Sequence, residues 1–132
     1  MEARLNECPC SGKNMNYFLG PWVLLVILEN EGVHGFEIRK ILEDWLKGQS
    51  ISFNLSGIYR HLKAFEERGV VRSEWDVSNR GPAKKRYFLT ETGRECLLRW
   101  IDTLAIQGRL ISDFIKKVSE LNTDLLTGRP HG

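Results

Sequence analysis

Between Glu91 and Leu121 the chain carries no proline, and Leu97, Ile101, Leu104, Gly108, Ile111, Ile115 and Val118 recur at alternating steps of four and three. Trp100, Phe114 and Leu121 add a parallel seven-residue row, so one long helix with a wide apolar stripe is predicted over 91–121, capped by Thr90. In a chain of 132 residues the rest of the molecule is too small to cover that stripe alone. One part is expected to pack on an earlier helix through Trp22 and Leu25, and the other on a second copy of itself. The candidate dimer interface is therefore Trp22, Leu25, Leu97, Ile101, Leu104, Ile111, Phe114, Ile115 and Val118. The alternative is that the helix folds back on its own domain, and Gly108 suits either a close helix crossing or a kink.

With 42% hydrophobic and 27% charged residues, the remainder reads as one compact domain with accessory elements. Residues 1–16 and 122–132 read as flexible tails. Gly20-Pro21 opens a first helix, apolar nearly all round from Trp22 to Leu28 and stopped near Glu31-Gly32. Ile38, Ile41, Leu42, Trp45 and Leu46 predict a second helix over 35–47, ended by Gly48. Asn54 or Ser56 caps a third, whose stripe is Leu55, Ile58, Leu62 and Phe65 and whose end is Gly69. Val70 to Val77 follows with the alternation of a strand, a breaker-rich turn spans Ser78 to Ala83, and Lys84 to Leu89 favours a second strand. The predicted fold is mainly α with a small antiparallel β-hairpin: a winged helix-turn-helix domain over 17–90 followed by a dimerisation helix.

A net charge of +2 is too small to argue for a nucleic-acid partner, so the placement of charge must do so. On the third helix Ser56, Tyr59, Arg60 and Lys63 lie opposite the apolar stripe, as a helix entering a major groove requires, with His61 beside them. Arg60 either reads guanine through two hydrogen bonds or holds phosphate, and both roles stay open; Tyr59 and Lys63 fit phosphate. Basic residues on a helix face are common on solvated surfaces, and the hairpin adds the stronger signal. Between Val77 and Phe88 stand Arg80, Lys84, Lys85 and Arg86 and no acidic residue, around Gly81-Pro82. That concentration fits a wing gripping the phosphate backbone or a minor groove of double-stranded DNA, against the plainer reading of an edge hairpin kept soluble by lysine.

These residues also resemble a known family. His34-Gly35-Phe36-Glu37-Ile38, Ile58-Tyr59-Arg60-His61-Leu62-Lys63 with Glu66 and Gly69, Gly81-Pro82-Ala83-Lys84-Lys85-Arg86-Tyr87 and Leu89-Thr90-Glu91-Thr92-Gly93 are similar to PadR-type transcriptional regulators. The resemblance implies a dimeric repressor that binds inverted-repeat operators and is released by a small molecule or stress signal. By the same likeness Tyr59 is the recognition-helix tyrosine, Lys63 a neighbouring basic contact, and Gly81, Lys84 and Arg86 belong to the wing. Ser56-Gly57 departs from the Gly-Thr often found there, which alters the first turn of the helix.

Cys8-Pro9-Cys10 offers two thiols one residue apart, enough to contact a soft metal or to sense oxidation, although tail cysteines are often bystanders. No other cofactor is expected. Cys96 reads as a small packing residue, and Trp22, Trp45, Trp75 and Trp100 as core, with Trp100 and Phe114 able to line an aromatic pocket for a small-molecule inducer. Three cysteines without a secretory signal fit a reducing cytoplasm. The longest apolar run, Trp22 to Leu28, falls far short of the roughly 20 residues of a membrane span. His34 has no nucleophile or carboxylate partner evident in the sequence, so an enzyme is not expected. Two alternatives to a repressor remain: a winged-helix protein-interaction module, and a thiol or metal sensor built on Cys8 and Cys10.

Overall fold

A computed structural model of the chain describes residues 18–49, 54–77 and 81–128. The chain divides after Leu97 into two units. In the first, helix α1 (Leu19–Glu29) buries Val23, Leu24, Val26 and Ile27 completely. Apolar character on all sides lets it serve as the centre on which its neighbours pack. It ends as Asn30 donates its side-chain amide to the Val26 carbonyl at 2.9 Å, and Gly32 then takes a left-handed turn at φ 89°.

Strand β1 (Val33–His34) leads directly into α2 (Gly35–Trp45). α2 buries Ile38 and Leu42 against the core. It stops two residues short of the predicted Lys47, and Trp45, expected in the core, is 36% exposed. Helix α3 (Leu55–Glu67) is capped by Asn54, whose Oδ1 accepts from the Ser56 backbone at 2.9 Å. Ile58, Leu62 and Phe65 are buried as their spacing requires. At its end Gly69 adopts φ 72° while the Val70 amide donates to the Phe65 carbonyl at 2.8 Å, the paired closure that a left-handed glycine permits.

Strands β2 (Val71–Asp76) and β3 (Lys84–Leu89) form the predicted hairpin. β1 joins it, giving a three-stranded antiparallel sheet ordered β1-β3-β2. The register sets Val71 opposite Leu89, Ser73 opposite Tyr87 and Trp75 opposite Lys85, so these residues share one face, closed at its base by buried Val71, Tyr87 and Leu89. Trp75, expected in the core, stands outside it. Trp75 is 62% exposed and Val77 78%, whereas Asp76 is buried.

Helix α4 (Glu91–Ser119) starts at Thr90, whose hydroxyl accepts from the Gly93 amide at 3.0 Å. In the second unit, its residues beyond Leu97 leave Ile101 and Phe114 63% and 69% exposed, with Leu98, Leu110, Ile111 and Ile115 more than half open. Leu104 and Val118 are half-buried. Asn122 then caps a short helix, α5 (Thr123–Thr127), within the stretch read as a tail.

Candidate nucleic-acid interface

On α3 the spacing of Ser56, Tyr59 and Lys63 places all three on the exposed side, with Arg60 at its edge. Ser56 donates its hydroxyl to the Asn54 side chain at 2.7 Å, so it shapes the first turn of the helix. Tyr59 lies over the start of α2: a Cβ on Gly35 would stand 2.5 Å from Tyr59 Cε1. Glycine at 35 is what lets the ring lie there. His61 points away from this group. Its ring stacks on Phe65 at 5.8 Å and lies beside Gly20 of α1. Burial, aided by the positive charges of Arg60 and Arg68, holds its pKa below the usual histidine value, so the neutral ring acts as a packing group.

Gly81 sits at the hairpin turn with φ 113°, a conformation open to glycine and strained for other residues. Lys84 and Lys85 reach in opposite directions from β3. Lys84 Nζ lies 4.7 Å from the Phe36 ring centre, and Lys85 Nζ lies 5.3 Å from that of Trp75 and 3.6 Å from Glu66. Arg80, together with Cys8 and Cys10, lies outside the described residues. Between the start of α2, the exposed side of α3 and the start of β3 runs a cleft of about 410 Å³, lined by His34, Phe36, Tyr59, Lys84, Lys85 and Tyr87 among others. The structure thus brings Tyr59 of the helix and the two wing lysines to one concavity. Tyr87, at its floor, keeps its phenol proton well into the alkaline range because of burial and the neighbouring Glu66.

The hairpin is fixed to the helices by a polar cluster that periodicity did not reveal. Asp76 Oδ2 accepts from Arg86 Nε at 3.0 Å and Nη2 at 2.9 Å and lies 3.1 Å from His34 Nε2. The other ring nitrogen of His34 faces Glu37 Oε1 at 2.8 Å, and that carboxylate also accepts from the His34 backbone amide at 3.0 Å. These hydrogen bonds, the backbone amide's first, lower the Glu37 pKa against a smaller cost of burial. His34 therefore ties β1 and the α2 cap to β2, with both ring nitrogens on carboxylates and neither on a hydroxyl or thiol. Arg86, expected to face DNA, is committed to this tie. The signal that finds it is the register, which sets His34 beside Arg86 on β3.

The predicted aromatic pair, Trp100 and Phe114, stands on α4 about four turns apart, roughly 21 Å along the axis, so one helix alone cannot bring the rings together. Cys96 is half-buried. Among the described residues no group of three or more His, Cys, Asp or Glu is placed to hold a metal ion, and no helix is long and apolar enough to cross a membrane.

The chain matches the profile of the transcriptional regulator PadR-like family over residues 24–99. Among solved structures it is similar to a protein of Thermoplasma acidophilum proposed as a transcriptional regulator, at 26% identity and TM-score 0.62, over 76% of this chain and 90% of that one. Bacillus subtilis PadR in complex with operator DNA is similar at 26% identity and TM-score 0.55, over 86% and 69% of the respective chains. A transcriptional regulator of Clostridium thermocellum shares the fold at 15% identity and TM-score 0.66, over 74% and 90%. No curated protein matches the chain.

Proposed function

Because the chain belongs to the transcriptional regulator PadR-like family, a family of regulators and not of enzymes, we propose that it is a homodimeric repressor that binds an inverted-repeat operator in the cytoplasm. The observation that carries the reading is the shared cleft, where Tyr59 of the exposed helix and Lys84 and Lys85 of the wing converge. A helix laid in the major groove and a basic hairpin on the adjoining backbone would use these groups together. The B. subtilis relative, solved in complex with operator DNA, supports duplex DNA as the partner. Two such units would read two half-sites if α4 pairs with α4 of a second chain, for which its exposed apolar residues supply the surface. A small-molecule inducer would act where the paired helices bring Trp100 of one chain near Phe114 of the other.

Selection of genomic fragments by the purified protein, followed by titration of the enriched duplex, tests this reading. A palindromic site is expected, with binding weakened roughly fivefold to 150-fold by Arg60→Ala, in line with the roughly 1–3 kcal/mol of a base contact, and with transcription from the adjoining promoter reduced when protein is added. Failure to enrich any duplex would favour a protein-interaction module instead.

A further inference from the structure

We propose that Trp75 is the apolar contact through which the wing grips DNA, its indole laid against the deoxyribose wall of the groove beside phosphates held by Lys84 and Lys85. The proposal rests on the reading of the chain as a DNA-binding regulator and assigns to that interface a residue outside the basic set.

Trp75 stands on the face of the hairpin whose base is the core. Burial runs out along that face from Val71, 2% exposed, through half-buried Ser73, whose hydroxyl donates to Glu66 at 2.7 Å, to Trp75 at 62%. The largest apolar side chain of the wing is thus in water, on an edge strand, beside exposed Val77. Exposed aromatics on a sheet edge invite aggregation unless a partner covers them. The charge around Trp75 selects the partner. Lys85 extends over its ring and also lines the cleft that holds Tyr59 and Lys84, so one lysine links Trp75 to the proposed DNA surface. Glu74 and Asp76, which flank Trp75, are each paired with an arginine, Arg72 and Arg86, and from Val77 to Phe88 the sequence carries four cations and no acid, so the wing as a whole is cationic and fits a polyanion.

An indole presents one donor and no acceptor, so it reads no base-edge pattern. The C–H-rich sugar edges offer what it can use, in the manner of the apolar side chains that minor-groove proteins employ. Such a contact releases no counterion and leaves the salt dependence of binding untouched.

The test measures affinity for the selected operator and for an unrelated duplex across a salt series, with wild type, Trp75→Ala, Trp75→Phe and Lys85→Ala. Trp75→Ala is expected to weaken both duplexes by roughly tenfold with an unchanged slope of log K against log salt. Trp75→Phe should recover most of the loss, and Lys85→Ala should make the slope shallower by about one per protomer. Melting temperatures within a few degrees of wild type would place the effect in binding. Equal affinity of wild type and Trp75→Ala overturns the proposal and leaves the surface to a protein partner, and a loss confined to the operator overturns it in favour of base readout. If wild type binds neither duplex, the regulator reading falls first and this proposal with it.

Discussion

Two glycines show how much of the interface depends on single hydrogen atoms. A Cβ at Gly35 would press on the outer atoms of the Tyr59 ring, and a Cβ at Gly93 would meet the Val70 carbonyl oxygen and the Leu89 side chain. An exposed tyrosine ring swings aside cheaply, whereas the backbone carbonyl of buried Val70 has nowhere to go. Gly35→Ala should therefore leave the melting temperature within about 4 °C of wild type, a change under roughly 1 kcal/mol, while weakening DNA binding severalfold because Tyr59 leaves the cleft. Gly93→Ala should destabilise by at least the ~1–3 kcal/mol typical of overpacking. Thermal melts beside DNA titrations separate the two, and equal damage to stability from both would count against the assigned packing. Asp76 belongs to the same scale. It is the buried hub between His34 and Arg86. A buried carboxylate becomes legible only with its partners, and these stand 42 and 10 residues away in the chain.

At the scale of elements, the four longer helices and the hairpin were legible because each carries its own period and its own stop, Gly69 after α3 being the clearest. Strand β1 was not, since two residues have no period and exist as a strand only by pairing with Arg86 and Tyr87. Alternation in β2 separated two faces correctly. It could not say where α3 stops covering one of them, which is why Trp75 was placed inside. Helix α4 is the reverse case, with a stripe legible in the sequence and Ile101, Ile111, Phe114 and Ile115 of it more than half exposed. Covering Ile111 and Phe114 is worth roughly 1.5–3 kcal/mol each, so the double substitution Ile111→Glu and Phe114→Glu should weaken self-association by more than about a hundredfold. Sedimentation velocity reads this directly. A dimer that survives the change would move the interface elsewhere.

For the whole molecule, the candidate site was legible as two basic segments in the order one fold requires, and the structure adds what order alone could not: which members meet. Tyr59, Lys84 and Lys85 converge on the cleft, while His61 turns to the core and Arg86 to Asp76. The central claim, that two copies grip one duplex through helix and wing, is tested most directly by the salt dependence of operator binding for wild type and for the double variant Lys63→Ala, Lys84→Ala. Each lost phosphate contact reduces the slope of log K against log salt by roughly 0.9. Two lysines in each of two protomers therefore predict a slope shallower by roughly 3.6, against roughly 1.8 for a single bound chain. A fall near the larger figure is what the account requires, and an unchanged slope would contradict it.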